Sequence, residues 1–391
     1  MKKKVLIVFG TRPEAIKMAP LVKKFKECGK DFSTKVCVTA QHRQMLDDVL
    51  NTFHIKPDYD LNIMQDGQSL YHVTSEALMR TKTVFEKEKP DLVLVHGDTT
   101  TTFAAALSAF YQQIPVGHVE AGLRSYDKRR PFPEEANRLI ADALCTLYFP
   151  PTTTSKKALL KENIDPKGIF VTGNTVIDAL HLILENKAPF TNHVLKKVFG
   201  GVTSNELRAA SRVILITAHR RENFGKPFDN AFTAIKRAAG KHPEAIFVYP
   251  VHLNPNVQEP AKRILGGTPN ILLTIPLDYP DLAKLMKLSY FVITDSGGIQ
   301  EEAPSLGKPV LVLRDVTERP EAVSAGTVKI VGTDEKVVFS NINRLFEDKK
   351  FYNSMARAVN PYGDGKACGR IIESIRYYFG FRRSKPQEFK I

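Results

Sequence analysis

The chain has 391 residues, with 56 Lys or Arg against 42 Asp or Glu, so its formal net charge is +14. A hydrophobic fraction of 43% and a charged fraction of 25% exclude an intrinsically disordered protein. At roughly 100–200 residues per domain, the length favours two domains. The longest apolar runs, such as Val5–Phe9, are far shorter than the roughly 20 residues that span a bilayer. Gly10–Pro13 ends that run before it reaches the length of a signal-peptide core, so we expect a cytoplasmic protein without a membrane partner.

The sequence gives little support for a metal site, a nicotinamide cofactor or a nucleic-acid partner. The four cysteines form no CxxC pair and the ten histidines no HExxH motif, so we expect no metal site. No strand pattern is followed by G-x-G-x-x-G, which disfavours a nicotinamide cofactor. The positive charge fits nucleic acid, a membrane surface or a polyanionic small molecule. No zinc spacing, helix-turn-helix or basic patch interleaved with aromatic residues supports a nucleic-acid partner.

Short apolar runs alternate with helical patterns along the chain, which is typical of parallel α/β architecture and predicts two Rossmann-like, doubly wound domains. The runs are apolar throughout, as in strands buried on both faces. The predicted strands span 4–9, 34–39, 91–95, 114–119 and 146–149 in the first half, and 213–217, 245–250, 271–275, 290–294 and 309–313 in the second. Between about 173 and 212 only a helix, over 175–186, is predicted, so we place the domain boundary near Gly173. The basic tail 377–391 is expected to end in disordered residues.

Polar residues follow the strands of the first half, where two doubly wound sheets would face each other across a ligand-binding cleft. Gly10–Lys17 offers Arg12, Lys17 and a helix N-terminus suited to an anion, although an ordinary turn explains the segment equally well. Three acids follow later strands or open a helix, namely Asp98, Glu120 and Glu134. Each acid alone is better explained as a cap or a surface residue, but three acids at one cleft favour acid–base chemistry.

The second half offers cations and an anion-binding turn. His219 follows the strand 213–217 and precedes two arginines, a pattern that suits a phosphate, a developing oxyanion or a basic surface turn. Ser296–Gly298 follows the strand 290–294 and opens a helix, so its backbone N–H groups could hold a diphosphate. Glu302 could accept both hydroxyls of a ribose, and Arg319 offers a further cation. This run favours nucleotide binding over a plain turn.

Eight motifs between residues 10 and 323 together resemble the non-hydrolysing UDP-N-acetylglucosamine 2-epimerases, and the resemblance runs from residue 5 to about 370. They include GTRPEAIKMAP (10–20), HGDTTTT (96–102), HVEAGLR (118–124), PEEANR (133–138), GNTVIDAL (173–180), AHRRE (218–222), DSGGIQEEAPSLGKPV (295–310) and TERPEAV (317–323). The resemblance implies a glycosyltransferase-B-like fold with domains at 1–172 and 173–364 and a C-terminal helix, about 365–391, that returns to the first domain. It also implies a homodimer that interconverts UDP-GlcNAc and UDP-ManNAc and supplies ManNAc units for surface polysaccharide.

The chemistry of such a reaction fits these residues. The C2 proton of the sugar is not adjacent to a carbonyl, so epimerisation must either oxidise a neighbouring carbon with NAD or eliminate UDP across C1–C2. Without a dinucleotide fingerprint, elimination to 2-acetamidoglucal and re-addition of UDP is the consistent route, and it needs no cofactor. The resemblance assigns the acid–base roles to Asp98, Glu120 and Glu134, assisted by His219 near the diphosphate. The UDP-sugar ligands that it implies are Arg12, Lys17, Ser296, Gly297, Gly298, Glu302 and Arg319.

A second, activating UDP-GlcNAc is also implied by the resemblance. Its implied ligands are Gln41, Gln44, Gln68, Glu134, Arg220 and His252. Three departures from the family pattern bear on affinity or regulation rather than on the reaction. Gly67 replaces an Arg of some relatives, Arg129-Arg130 stands where Tyr-Ser is usual, and Leu277 and Leu282 stand where some relatives have Gln and Phe near uracil.

Three other activities compete with this interpretation. A hydrolysing 2-epimerase would release free ManNAc and UDP, and a related 2-epimerase would act on a 2,3-diacetamido uronic acid nucleotide. The full-length match to the non-hydrolysing motifs disfavours both. A glycosyltransferase with a UDP-GlcNAc donor would share the nucleotide site, but it would not need Asp98, Glu120 and Glu134 together.

Overall fold

The computed structural model describes residues 1–41, 43–186, 188–200 and 212–390. These residues form two compact units, the first made of Met1–His181 and Tyr362–Lys390 and the second of Leu182–Pro361. Each unit contains one six-stranded parallel sheet flanked by helices. The predicted α/β class with two doubly wound, Rossmann-like sheets is therefore confirmed. Within the described ranges, no helix combines the length and the apolar character needed to cross a membrane.

The first unit is built on strands β1–β6. These are β1 Lys3–Phe9, β2 Phe32–Val38, β3 Tyr59–Asp60, β4 Leu92–His96, β5 Val116–Val119 and β6 Leu147–Phe149. Its helices are α1 Arg12–Glu27, α2 Arg43–Thr52, α3 Leu70–Glu88, α4 Thr100–Tyr111, α5 Glu134–Leu144, α6 Thr153–Lys161 and α7 Thr175–Glu185. The strand order is β3-β2-β1-β4-β5-β6. The central strand β1 is buried from Val5 to Phe9, which explains why it is apolar throughout.

The second unit repeats this plan with strands β7–β12. These are β7 Val213–Thr217, β8 Ile246–Pro250, β9 Ile271–Thr274, β10 Phe291–Thr294, β11 Val310–Val312 and β12 Val328–Ile330. Its helices are α8 His193–Phe199, α9 Lys226–Lys241, α10 Pro255–Leu265, α11 Tyr279–Leu288, α12 Gly297–Ser305, α13 Pro320–Ser324, α14 Glu335–Glu347 and α15 Lys349–Ala356. The order β12-β11-β10-β7-β8-β9 is the same as in the first sheet once strands are counted from the start of each unit. The sheet covers a core in which Ile214, Phe247 and Phe291 are fully buried.

All ten predicted strands and the helix predicted at 175–186 are present, with ends shifted by at most two residues. The short strands β3 and β12 were not predicted. Both lie at sheet edges and are half-buried or exposed at most positions, so they lack the continuous apolar run that marks the central strands.

The chain returns to the first unit through α16, Ala367–Tyr378. Asp178 on α7 accepts hydrogen bonds from the backbone N–H groups of Ala367 and Cys368 at 3.1 and 2.9 Å, and so caps this helix. The compact units divide after His181, inside α7, rather than near Gly173. The first turns of α7 stay with the first unit because they make these contacts to the returning segment.

The expectation of a disordered tail is wrong for its described residues. Phe389 is 6% exposed, and its backbone N–H donates to the carbonyl of Val171 at 2.8 Å. Glu388 accepts a hydrogen bond from Lys156 at 2.9 Å. The tail is ordered because the first unit buries the large apolar side chain of Phe389. The basic composition of the tail gave no indication of this contact.

Candidate active site

Each sheet has a topological switch point between its first and fourth strands in chain order. In doubly wound sheets, ligands bind beyond the carboxyl ends of the strands at this point. In the first unit the switch point lies between β1 and β4, which lead into Gly10–Arg12 and Gly97–Thr99. In the second unit it lies between β7 and β10, which lead into Ala218–Arg220 and Asp295–Gly297. The predicted site residues of both halves therefore cluster where this topology favours a ligand.

One buried carboxylate joins the two loops at the switch point of the first unit. Glu14 accepts hydrogen bonds from the backbone N–H groups of Gly10 and Thr11 at 3.1 and 2.8 Å, and from the Thr99 hydroxyl at 2.8 Å. A Cβ atom at Gly10 would lie 2.0 Å from Thr39 Oγ1, so only glycine fits there. Burial raises the pKa of the Glu14 carboxyl, against hydrogen bonds from Thr11 and Thr99 that lower it. The amide groups that the sequence analysis assigned to an anion thus bind a carboxylate of the chain itself.

Glu120 follows β5 and is surrounded by polar side chains from three other segments. Lys17 Nζ lies 2.5 Å from Glu120 Oε2, and Asn174 Nδ2 donates to the same oxygen at 2.6 Å. Glu120 is 8% exposed and has a φ of +66°, a left-handed conformation that is costly for a residue other than glycine. Lys17, predicted as a ligand of UDP, therefore contacts a predicted acid–base residue.

His96, the last residue of β4, lies beside this pair. Its Nε2 atom is 3.9 Å from Glu120 Oε2, and the residue is only 3% exposed. Neither ring nitrogen has a hydrogen-bond partner among the residues that the structure describes. Burial lowers the pKa of His96 to about 3, and although Glu120 opposes this shift, Lys17 and His118 add to it. His96 is therefore neutral at physiological pH.

The neutral burial of His96 predicts a loss of stability on acidification. The pKa of His96 is lower in the folded than in the unfolded protein, where it is about 6.5. The neutral ring therefore contributes its full stabilisation above pH 6.5, and this contribution is lost as the pH falls towards 3. We expect the free energy of unfolding of the first unit to fall by about 2 kcal/mol between pH 7.5 and pH 5. Urea unfolding followed by circular dichroism at several pH values measures this slope. His96→Gln should flatten it, whereas His54→Gln, which changes an exposed histidine of the same unit, should not. An unchanged slope in His96→Gln would assign the acid sensitivity to other groups.

The other two predicted acids lie at β4 and α5. Arg138 on α5 donates to the Asp98 carboxylate, and Asn137 Nδ2 donates to the Asp98 backbone carbonyl at 3.0 Å. Glu134 is the first residue of the same helix, and its buried Oε2 atom has no hydrogen-bond partner among the described residues. Arg138 and Asn137 thus attach the Asp98 loop to the helix that carries Glu134.

In the second unit, the fully buried Asp295 organises the loop after β7. One of its oxygens accepts the backbone N–H groups of His219 and Arg220, both at 2.8 Å. The other oxygen lies 3.5 Å from His219 Nδ1. The His219 ring stacks on His252 with centroids 5.5 Å apart. The two histidines that the sequence analysis singled out in this half are therefore neighbours, and the carboxylate orients one of them.

The predicted diphosphate turn opens α12. The helix begins at Gly297 after the N-cap residue Ser296, which leaves the first backbone N–H groups available to an anion. The guanidinium group of Arg220 lies next to this turn and adds a cation. A Cβ atom added at Gly297 would be 3.8 Å from Arg220 Nη2. Glu302 on the same helix accepts a hydrogen bond from the Tyr279 hydroxyl at 2.9 Å. Burial raises the pKa of Tyr279 well above its ordinary value, so it stays a donor.

The remaining predicted ligands are distributed over both units. Arg319 pairs with the buried carboxylate of Glu301. In the first unit, Gln68 Nε2 donates to the Gln41 carbonyl at 2.9 Å, which brings two of the predicted activator ligands together. Arg12 and Gln44 are exposed. Over the described parts of the chain, no group of three or more His, Cys, Asp or Glu side chains is arranged to hold a metal ion.

Three residues of these clusters, His96, Asn174 and Asp295, were not predicted as site residues. His96 and Asp295 stand at strand ends inside the motifs, so the rule that selected Asp98 and Ser296 could have selected them as well. Asn174 reaches Glu120 across 54 positions of the chain, and no local pattern indicates such a contact.

Known proteins resemble this chain over nearly its whole length. The family model described as UDP-N-acetylglucosamine 2-epimerase matches residues 26–376. The UDP-N-acetylglucosamine 2-epimerase of Bacillus subtilis is 53% identical over 390 residues, covering 100% of this chain and 99% of that protein. The Neisseria meningitidis UDP-GlcNAc 2-epimerase bound to UDP-GlcNAc superposes with a TM-score of 0.83 at 52% identity, covering 95% of this chain and 99% of that one.

The S. aureus MnaA–UDP complex superposes with a TM-score of 0.85 at 50% identity, covering 99% of this chain and 100% of that one. These likenesses also confirm the glycosyltransferase-B-like class of the fold. The chain therefore belongs to the UDP-N-acetylglucosamine 2-epimerase family.

Proposed function

We propose that the protein interconverts UDP-GlcNAc and UDP-ManNAc by eliminating UDP and adding it back. The observation that carries this proposal is the position of Glu120. A cation and an amide fix its carboxylate at the carboxyl end of the sheet, and Asp98 follows the neighbouring strand. Acid–base chemistry requires carboxylates held in a defined geometry, which this arrangement supplies. The family relationship and the UDP-GlcNAc and UDP complexes of relatives support the choice of substrate.

The reaction proceeds in two balanced steps. In the first, a carboxylate takes the C2 proton while the bond between C1 and the diphosphate oxygen breaks, which leaves 2-acetamidoglucal and UDP. In the second, a protonated acid returns a proton to the opposite face of C2, and UDP adds to C1. Asp98, Glu120 and Glu134 form the acid–base set, since general acids and bases are needed on both faces of the sugar.

The second unit provides most of the UDP ligands in this proposal. The backbone N–H groups at the start of α12 and the side chain of Arg220 stabilise the negative charge that develops on the leaving diphosphate. His219 assists there, oriented by Asp295. Glu302 accepts the ribose hydroxyls. The other UDP-sugar ligands in the proposal are Arg12, Lys17, Ser296, Gly297, Gly298 and Arg319.

Incubation with UDP-GlcNAc in D₂O, followed by proton NMR, tests the function. We expect UDP-ManNAc and UDP-GlcNAc that both carry deuterium at C2, because the proton lost in elimination is replaced from solvent. Free ManNAc would instead indicate a hydrolysing enzyme. Epimerisation without solvent deuterium at C2 would contradict the elimination route.

Two proposals concern assembly and regulation. We propose a homodimer formed through α3 and α4, which pack side by side and leave Tyr71, Met79, Phe110 and Tyr111 exposed.

We also propose that a second UDP-GlcNAc activates the enzyme through Gln41, Gln44, Gln68, Glu134, Arg220 and His252. A sigmoidal dependence of rate on UDP-GlcNAc is expected, and a hyperbolic one would contradict activation. The UDP-ManNAc formed would supply ManNAc units for surface polysaccharide.

A further inference from the structure

A buried ionic network lies behind the loops that carry Asp98 and Glu120. His118 on β5 is fully buried and Asp142 on α5 is 1% exposed. His118 Nδ1 lies 2.6 Å from an Asp142 oxygen, and His118 Nε2 lies 2.7 Å from the backbone carbonyl of Gly97. Arg124 donates to Asp142 at 2.7 Å and to Glu162 at 2.6 and 2.7 Å. None of these four side chains belongs to the proposed acid–base set.

The hydrogen bonds fix the number of protons on His118. A neutral imidazole has one N–H group, which can satisfy one acceptor. Both partners of His118 are acceptors, because the Gly97 carbonyl has no proton and the Asp142 oxygen belongs to a carboxylate. The ring must therefore carry protons on both nitrogens and be an imidazolium.

The alternative is a protonated Asp142 beside a neutral His118, and the surroundings of Asp142 argue against it. Its second oxygen accepts hydrogen bonds from Arg124 and from the Gly122 backbone N–H at 3.2 Å. Burial alone would raise the pKa of Asp142, but His118 and Arg124 hold it below its ordinary value. The carboxylate is therefore ionised.

The network is balanced in charge, and the side chains of His118, Asp142 and Arg124 are buried, whereas Glu162 is 29% exposed. Two cations, His118 and Arg124, face two anions, Asp142 and Glu162. The Tyr148 hydroxyl from β6 donates to the Asp142 backbone carbonyl at 2.8 Å. From β4, His96 is the other ionisable group near His118, and it is neutral. Buried ion pairs persist only when partners and hydrogen bonds compensate for the loss of water, a condition that this network meets.

Asp142 holds both ends of the turn that carries Glu120. One oxygen binds the side chain of His118, two residues before Glu120, and the other binds the backbone of Gly122, two residues after it. This contact explains how Glu120 keeps its unfavourable φ of +66°. The second nitrogen of His118 binds Gly97, the residue that precedes Asp98. One ring thus connects the loop of Asp98 with the turn of Glu120.

We propose that His118 carries a proton on each ring nitrogen and, with Asp142, forms a positioning pair that fixes Glu120 and Asp98 relative to each other. The charge state of His118 stands on the hydrogen bonds alone, whereas the effect on catalysis rests on the function proposed above. The two parts therefore have separate measurements.

The charge state is measured on the full-length protein labelled with ¹⁵N at its ten histidines. At pH 8.5 a histidine with an ordinary pKa is only about 1% protonated. We expect one histidine to show the ¹⁵N shifts of a ring protonated on both nitrogens, and its signal should be missing from His118→Asn. If that variant does not fold, Asp142→Asn should shift the same signal. A spectrum in which every histidine is neutral at pH 8.5 would overturn the proposal, whatever the enzyme does.

The positioning role is measured on Asp142→Asn. We expect kcat for C2 deuterium exchange to fall about 100-fold, as displacement of a catalytic group by roughly 1 Å does, with KM and UDP affinity changed less than about threefold. Asp178→Asn is the matched control, because it alters a half-buried aspartate of the first unit that also accepts backbone N–H groups. It should lower the melting temperature and leave exchange within about threefold. Equal effects of the two variants on kcat would reduce the network to a structural role, and absence of exchange in the wild-type protein would contradict the proposed function instead.

Discussion

Replacing Glu120 by Gln is expected to reduce deuterium exchange at C2 of UDP-GlcNAc by at least about 10³-fold. The amide keeps the shape of the side chain but can neither take nor return a proton, and general acid–base catalysis typically contributes about 10²–10⁴-fold. Lys17 would then face a neutral amide at the position where it now contacts a carboxylate. Asp98→Asn should have a comparable effect. Exchange is measured by NMR in D₂O and UDP affinity by titration calorimetry.

UDP affinity distinguishes a catalytic defect from a binding defect. We expect both variants to bind UDP within about threefold of the wild-type protein, because neither substitution removes a residue that is assigned to UDP binding. Glu76→Gln is the control, since that glutamate lies on α3 and forms an exposed ion pair with Arg80. It should exchange at the wild-type rate. If Glu120→Gln also failed to bind UDP, Glu120 would have to be reassigned from acid–base chemistry to ligand binding.

Replacing Arg124 by Met is expected to destabilise the first unit by about 3–5 kcal/mol. Methionine has a similar length but no charge, so Asp142 and Glu162 would lose the cation between them. The side chains of Arg124 and Asp142 are each only 1% exposed, so water cannot replace the hydrogen bond between them. Urea unfolding followed by far-UV circular dichroism measures the loss, and this signal is needed because the chain contains no tryptophan.

Arg80→Met is the matched control for this prediction. Its side chain is 48% exposed and pairs with Glu76 one turn away. Exposed pairs contribute little, so we expect a change of less than about 1 kcal/mol. Similar losses in the two variants would show that the buried network does not contribute more than a surface pair.

The fold could be predicted from the sequence because its central strands are buried on both faces. Strands such as β1, β4 and β7 are continuous apolar runs, and the helices between them dictate parallel pairing. The edge strands β3 and β12 are two and three residues long and carry no such run. The boundary inside α7 depends on contacts with the returning segment, which sequence patterns do not encode.

In the candidate site, the residues that directly follow strands could be predicted from the sequence, but their partners from distant segments could not. Asp98, His219 and Ser296 follow strands, and the carboxyl ends of parallel strands meet at one edge of a sheet. The partners of these groups come from distant segments. Lys17 reaches Glu120 across 103 positions, and Arg319, predicted as a ligand of the UDP-sugar, pairs with Glu301 across 18. Such pairings follow from the packed structure and leave no periodic signal in the sequence.

The discontinuity of the first unit affects the order in which the protein matures on the ribosome. The second unit is one continuous segment, Leu182–Pro361, whereas the first needs Tyr362–Lys390 to be complete. Contacts such as that between Asp31 and Arg376 join residues 345 positions apart. During synthesis, the second unit therefore has all its residues before the first does, although its sequence comes later. The loops with Asp98 and Glu120 belong to the unit that is completed last, so the nascent chain completes its proposed nucleotide-binding unit before its proposed acid–base unit.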